Sequence, residues 1–425
     1  MSASSDKSFA RQRQSEIFLG NIRGKKRAIP ISFEKLKDEA RNTMSAKAFA
    51  YIAGSAGTES TKTANHHGFA KWKIIPRMLR NVSSVDTKIS LFRNTYPCPF
   101  LLAPIGVLEM AHANADLAVS KAAANEQVPF IFSSQASVSM ETCSKVMGRA
   151  PRWFQLYWST NNDLVASFVE RAEQCGCEAI VLTLDTTKLG WRPRDLNLDY
   201  LPFLRGMGIA QYTSDPVFQQ MMETPIAQSD ESPKLTLNSV KALIQMARNY
   251  PGGFLKNLFS DKPRKAVKTF IESYSRPSLT WDNLSFLRSL TDLPILLKGI
   301  LHPDDASKAL EADMDGIIVS NHGGRQVDGA ISSIGALPAI VNEINGKIPV
   351  LLDSGIRSGS DIFKALALGA DAVLLGRPYV YALYIAGQYG VQEVIQNYRA
   401  DFELNMSLSG CRSVDEITEA HLTKS

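Results

Sequence analysis

Six short stretches of this 425-residue chain collect polar and ionisable side chains, most of them beside glycine. They are Gln155-Leu156-Tyr157; Thr183-Leu184-Asp185, with Arg192 soon after; Lys298-Gly299; Ser320-Asn321-His322-Gly323-Gly324-Arg325; Asp353-Ser354-Gly355-Ile356-Arg357; and Gly376-Arg377-Pro378. His322 stands between Asn321 and two glycines, with Arg325 three residues on. That placement suits a general base beside an anion clamp. Asp185 can hold the protonated imidazole by charge and hydrogen bonding. Arg192 and Arg325 can grip a carboxylate in bidentate fashion. In the last two stretches, glycines let backbone N–H groups approach an anion, and Arg357 and Arg377 add charge and donors, which is the chemistry of a phosphate site. The plainer alternative of turn glycines, surface arginines and a structural histidine stays open. Nothing in the spacing shows that these residues meet.

Residues so far apart need a frame that returns them to one place. From about residue 99, eight apolar runs of about five residues recur: Pro99–Pro104, Pro129–Ser133, Trp153–Tyr157, Ala179–Thr183, Pro294–Lys298, Gly316–Ser320, Pro349–Asp353 and Ala372–Gly376. They are apolar at consecutive positions, as strands buried on both faces are. Eight is the number that closes a barrel, and the polar stretches fall at the ends of the runs, where barrel enzymes place their sites. Helical spacing recurs between them, at Asn114–Asn125, Asn162–Gln174, Asp304–Glu311, Ile334–Ile344 and Ser360–Leu368. The expected fold is α/β, a (β/α)8 TIM barrel over residues 99–425. An N-terminal helical extension over 1–98, with a helical stretch around Phe33–Ile52, is expected to pack on it. A long insertion follows strand 4, at about 196–280, with Pro202, Pro216, Pro225, Pro233, Pro251, Gly252 and Gly253. It reads as a lid at the catalytic face, or else as a surface or assembly element.

Bulk properties exclude several classes. Hydrophobic residues make up 44% and charged residues 21%, ordinary for a globular protein. The net charge of +5 is small and scattered. Its front-loaded part, Arg11, Arg13, Arg23, Lys25, Lys26 and Arg27, reads as a solvated arm. No aromatic or helical reader accompanies it, so no nucleic-acid partner is expected. The five cysteines are odd in number and lack zinc-ligand spacing, so neither a disulfide framework nor a metal is expected. Cys175-Gly176-Cys177 reads as packing. No apolar run approaches the roughly 18 residues of a membrane span. The first twenty residues are polar and carry no secretory pattern, so a cytoplasmic location is expected.

The motifs together resemble the FMN-dependent 2-hydroxy acid oxidising enzymes, the family of glycolate oxidase, lactate oxidase, lactate monooxygenase and the flavocytochrome lactate dehydrogenase. The resemblance runs from about Ile31 to Ile417. It is carried by Ser-Asn-His-Gly-Gly-Arg-Gln at 320–326, with Phe-Gln-Leu-Tyr at 154–157, Thr-Leu-Asp-Thr at 183–186 and Leu-Ser-Gly-Cys-Arg at 408–412. It implies FMN as cofactor, a small 2-hydroxy acid as substrate and dioxygen as acceptor. His322 resembles the base, Asp185 its electrostatic partner, and Arg192 and Arg325 the carboxylate clamp. Tyr51 resembles the tyrosine that reaches the carboxylate, and Tyr157 the one beside the substrate hydroxyl. Lys298 resembles the lysine that stabilises the anionic reduced flavin. Ser133, Gln155 and Thr183 match ring contacts. Asp353, Gly355, Arg357, Gly376 and Arg377 match ribityl and phosphate contacts, and Ser320 is grouped with the cofactor residues. The family also implies a homotetramer, or tetramers paired into octamers.

Three features narrow the resemblance. Gly106 stands where oxidases of the family usually carry alanine, and the insertion, with Tyr200–Ala210, is similar to the extended lid of lactate 2-monooxygenase. Both point to that branch, which decarboxylates its oxo acid with peroxide. Gln135 stands where glycolate oxidase has a tryptophan, which argues against glycolate. A specialised biosynthetic hydroxy acid or a cyclic amine-acid is the alternative substrate. Rival readings are a flavin-dependent isomerase and a non-catalytic flavin-binding scaffold. The His322, Arg192 and Arg325 set opposes both.

Overall fold

The computed structural model describes residues 8–24, 26–223 and 236–425. Lys25, Pro225 and Pro233 of the features above lie outside the described residues. Eight parallel strands close into a barrel: Phe100–Leu102 (β1), Phe130–Phe132 (β2), Arg152–Leu156 (β3), Ile180–Thr183 (β4), Ile295–Ile300 (β5), Gly316–Val319 (β6), Val350–Leu352 (β7) and Ala372–Leu375 (β8). Each pairs with its neighbour in sequence, and β8 returns to β1. Every apolar run thus became one strand. The runs are apolar on consecutive positions because both faces are covered. Phe100, Leu102, Phe130, Phe132, Phe154, Leu156, Ile180 and Leu182 pack outward in the same core as the helices. Leu101, Ile131, Trp153, Val181, Leu296, Ile318, Leu351 and Leu374 fill the inside, one from each strand.

The helices between strands follow the expected spacing. Asn162–Gln174 has the predicted bounds. Asn161 caps it by accepting from the backbone of Asp163 and Leu164, and it buries Leu164, Val165, Phe168, Val169 and Ala172. The last helix, Arg377–Ser409, has 33 residues and breaks at Ala386–Gly387.

Residues before the barrel are less uniformly helical than expected. The stretch around Phe33–Ile52 is two helices, Phe33–Thr43 and Ala46–Ala53, parted at Met44 where Ser45 caps the second. Strand Trp72–Ile74 pairs antiparallel with Leu422–Lys424 near the other end of the chain. A hairpin, Ile89–Leu91 with Asn94–Tyr96, runs directly into β1. Its Ile89, Leu91 and Tyr96 join the interior cluster and plug the N-terminal mouth of the barrel. The basic arm is also corrected in part. Phe9–Ile22 is a helix seated on Arg377–Ser409, with Arg13 bonded to Asn397 and the Arg399 guanidinium over Phe9.

The described part of the insertion between β4 and β5 is pinned to the barrel's helices. Tyr212 packs on Phe168, Phe218 and Phe270 at ring-centroid distances of 5.1, 5.5 and 4.8 Å, and Phe203 meets Phe270 at 5.2 Å. Arg171 bonds Asp215 at 2.8 Å where both are buried. These contacts tie Phe203, Tyr212, Asp215, Phe218 and Phe270 to one another and to the helix that follows β3.

Candidate active site

Side chains alternate along a strand, so the residue two positions past each interior apolar residue also faces inward, one layer nearer the C-terminal mouth. Those eight positions are Ala103, Ser133, Gln155, Thr183, Lys298, Ser320, Asp353 and Gly376. The apolar floor and the polar layer above it are therefore one register of the same strands. Seven of the eight were singled out from the sequence. Ala103 was not, having no chemistry of its own to mark it.

Lys298 is the hub. Its Nζ lies 3.1 Å from Asp353 Oδ2, donates to Ser320 Oγ at 3.0 Å and lies 3.8 Å from Asp185 Oδ2. Ser320 Oγ in turn donates to Asp353 at 2.7 Å and accepts the His322 backbone N–H at 3.0 Å. Burial alone would lower the lysine's pKa, but Asp353 and Asp185 outweigh it and the ammonium is held above its ordinary range. A fixed positive charge thus stands in a dry layer.

His322 sits directly after that layer, in the left-handed region at φ +56. Its Nδ1 lies 2.7 Å from Asp185 Oδ1 and 3.3 Å from Thr186 Oγ1. Asp185 is ionised: burial would raise its carboxyl, but His322 and Lys298 hold it well below the usual range. An ionised carboxylate accepts, so Nδ1 carries the proton and Nε2 keeps its lone pair. Burial lowers the imidazolium pKa, Asp185 opposes it, and Lys298 and Arg192 add to the lowering. The ring is neutral at pH 7, the form a base requires.

Two guanidiniums flank this pair. Arg192 Nε donates to the Arg325 carbonyl at 3.2 Å and its Nη2 to Gln326 Oε1 at 2.9 Å. Arg325 Nη1 donates to the carbonyls of Tyr51 and Gly54 at 2.6 and 2.9 Å, and its guanidinium lies 5.1 Å from the Tyr51 ring centre. Neither forms a salt bridge to a carboxylate among the described residues. Burial, with Arg325 adding, brings Arg192 down to about 10. Burial likewise raises Tyr51, and raises Tyr157 to about 12 with Asp185 adding, so both phenols are protonated donors.

One cavity joins these groups, enclosing about 1240 Å³ including its open mouth. Tyr51, Ser133, Tyr157, Arg192, Lys298, His322, Arg325, Asp353, Gly355, Arg357, Gly376 and Arg377 all line it. The sequence placed these residues in the site, and the fold brings them together. Arg377 is the most committed of them. It donates to the carbonyls of Ile52, Gly54 and Gly323 and to Ser55 Oγ, tying the chain before the barrel to the start of the last helix. Arg357 makes one such bond, to its neighbour's carbonyl, and stacks over Phe33 at 4.2 Å.

Three observations bear on a phosphate-bearing ring cofactor. Gln155 Nε2 and Thr183 Oγ1, at the floor of the polar layer, are buried without a hydrogen-bond partner. A Cβ added at Gly376 would make only ordinary contacts, with Ile105 at 3.6 Å and Ala103 at 3.9 Å, and Gly376 lines the cavity at a helix start. Around the cavity Lys298, Arg192, Arg325, Arg357 and Arg377 outnumber Asp185 and Asp353 by three. A phosphate monoester and a substrate carboxylate would together bring close to three negative charges. The residues fit such a group.

Sequence reasoning missed several participants. Thr186 donates to Asp185 at 2.9 Å and approaches His322 Nδ1. Gln326 accepts from Arg192 and donates to the Asp185 carbonyl at 2.8 Å, so it couples the two halves of the site. Both lie inside the quoted motifs, yet their amide and hydroxyl chemistry gave no separate signal. Leu201, Phe203, Ile271 and Tyr274, all from the insertion, form an apolar outer wall.

A family model described as FMN-dependent dehydrogenase matches residues 40–424. An L-lactate oxidase of Lysinibacillus sphaericus is 40% identical over 395 residues, covering 93% of each chain. A 4-hydroxymandelate oxidase of Amycolatopsis orientalis is 35% identical over 386 residues, covering 90% of this chain and 96% of the relative. A crystal structure of mandelate oxidase superimposes with a TM-score of 0.74 at 33% identity, covering 93% of this chain and 98% of that one.

Proposed function

Since the chain belongs to the family of FMN-dependent dehydrogenases, we propose that it oxidises an L-2-hydroxy acid to the 2-oxo acid, with dioxygen as the final acceptor. When bound, FMN would supply the two-electron redox chemistry that links oxidation at C2 to reduction of dioxygen. Ser133, Gln155 and Thr183 would meet its ring, and Asp353 and Gly355 its ribityl chain. Arg357, Gly376 and Arg377 would meet its phosphate, and Lys298, steadied by Ser320, would set positive charge beside the ring.

The chain's own groups do the rest. Arg192 and Arg325 fix the substrate carboxylate, with the Tyr51 phenol donating to it. Tyr157 orients the C2 hydroxyl. His322 Nε2 takes a proton from the H–C–OH centre, and Asp185, 2.7 Å away, stabilises the imidazolium that forms. One observation carries this reading: a histidine 2.7 Å from a buried carboxylate stands beside a cavity lined by two guanidiniums that form no salt bridge to a carboxylate among the described residues. Such guanidiniums call for an anion.

Anaerobic mixing of the yellow holoenzyme with a panel of L-2-hydroxy acids tests it. Bleaching of the flavin by one or more of them is expected. A preparation that binds FMN but is bleached by none would overturn the reading.

The apolar wall of Leu201, Phe203, Ile271 and Tyr274 favours a second reading of the products. A cavity walled on that side would hold the oxo acid beside the peroxide, which would convert it to carbon dioxide, water and the acid shorter by one carbon. Carbon dioxide in place of free peroxide after admission of air separates the two outcomes.

A further inference from the structure

Gln135 lines the cavity, is 9% exposed, and its side-chain amide makes no hydrogen bond among the described residues. Its backbone, by contrast, is held on every side. The Gln135 N–H donates to Ser133 Oγ at 3.0 Å, and its carbonyl accepts from Val107 N–H at 2.9 Å. The next carbonyl, of Ala136, accepts from Ala210 of the insertion at 3.1 Å. Gly106 lets the neighbouring loop come this close: a Cβ there would stand 2.9 Å from Gln135 Cβ and 3.1 Å from its carbonyl oxygen. A Cβ at Gly208 would stand 3.0 Å from that same oxygen. Two loops and the insertion thus clamp one residue and leave its amide facing the cavity. A fixed amide that opens on the cavity with no protein partner is placed to bond a group that arrives with the substrate.

We infer that the acid oxidised here carries a neutral hydrogen-bonding group on its side chain, and that the Gln135 amide reads it. The inference rests on the 2-hydroxy acid reading above. The neutral character follows from the surroundings. Among the described residues, the insertion contributes Leu201, Phe203, Ile271 and Tyr274 to the cavity, and none of these is a cation that would meet a second carboxylate. Arg192 and Arg325 are taken by the first. The substrate class is therefore a 2-hydroxy acid with an apolar body and a hydroxyl or carbonyl on it, in place of an unsubstituted alkyl acid or a dicarboxylate.

Matched pairs test this on the FMN-loaded enzyme. One is 2,4-dihydroxybutanoate against 2-hydroxypentanoate; another is 3-(4-hydroxyphenyl)lactate against 3-(4-methylphenyl)lactate. In each a hydroxyl replaces a methyl of nearly equal size. Anaerobic flavin reduction should favour the hydroxyl member of a pair about tenfold or more. The unreactive 2-oxo acids should show the same preference in dissociation constant on the oxidised enzyme. Gln135→Met keeps the length and removes the amide, and should bring both ratios close to one. A wild-type preference for the methyl member in both pairs overturns the inference. So does a ratio that survives Gln135→Met, or 2-hydroxyglutarate outrunning every neutral acid. Should Gln135→Met fail to hold FMN, the wild-type ratios alone decide. If no 2-hydroxy acid bleaches the enzyme, the broader reading falls instead, which is a distinct result.

Discussion

The two mouths of one barrel are built from the same eight strands, two residues apart, and are chemical opposites. At the N-terminal mouth the interior layer is Leu101, Ile131, Trp153, Val181, Leu296, Ile318, Leu351 and Leu374, sealed by a hairpin. Polar groups there are paired off: Trp153 Nε1 donates to Tyr96 OH at 3.3 Å, which donates to Glu178 at 2.6 Å. At the C-terminal mouth the next layer is Ser133, Gln155, Thr183, Lys298, Ser320 and Asp353, and two of its polar atoms have no partner. Stability gathered at one end lets the other hold charges and unsatisfied donors that cost free energy until ligands arrive. The comparison predicts that substitutions at the two ends fail in different ways.

The largest effect belongs to the C-terminal mouth. His322→Ala should slow anaerobic flavin bleaching by roughly a thousandfold, the middle of the range for loss of a general base. The yellow colour and the unfolding midpoint should hardly move, because the His322 side chain is 21% exposed and Asp185 keeps Thr186 and Lys298. In the wild type only the neutral imidazole acts, so bleaching should rise with pH. Its inflection should lie below the ordinary histidine value of about 6.5, since burial lowers this group. Bleaching within tenfold of wild type would remove His322 as the base.

Trp153→Ala is the converse probe. Trp153 is fully buried, meets Phe92 at 5.9 Å and anchors Tyr96 of the plug. Its loss should destabilise the protein by about 3–5 kcal/mol in denaturant unfolding. The molecules that stay folded should bleach at close to the native rate. A rate loss larger than the stability loss would show that the two ends are not independent.

The frame was legible because fully buried parallel strands print themselves as consecutive apolar residues, and all eight runs became strands. The site was legible for the same reason: its residues close those runs, and glycines beside His322 and Arg357 mark where the chain turns. What stayed hidden depends on contacts between distant segments. Gln326 looks like any amide until Arg192 reaches it, 134 residues away. The hairpin at 89–96 has only three residues per strand, too short for its alternation to stand out. The insertion showed its prolines and glycines, but not that Tyr212 and Phe270 bury it. The Phe33–Ile52 stretch read as one helix because Ser45 is a cap only once the chain bends there.

The smallest predicted effect lies where the insertion meets the C-terminal mouth. Glu109 Oε1 accepts the Gly208 N–H at 2.9 Å, tying the insertion to the loop after β1. Burial pushes this carboxyl up to about 7, with the Gly208 bond opposing and Asp116 adding. An unfolded glutamate ionises near 4.5. Between those values the folded chain keeps a proton that the unfolded chain has released. Stability therefore falls as pH rises through that window and levels off above it. Glu109→Gln keeps an acceptor for Gly208 and cannot ionise. Its loss of stability from pH 5 to pH 8 should be smaller than the wild type's by roughly 2–3 kcal/mol. Asp116, also raised to about 7 by burial, titrates in both proteins, so it enters the difference only through its coupling to Glu109. Parallel pH profiles for the two proteins would mean that Glu109 ionises freely, and that the C-terminal mouth carries its titrating groups only in the catalytic layer.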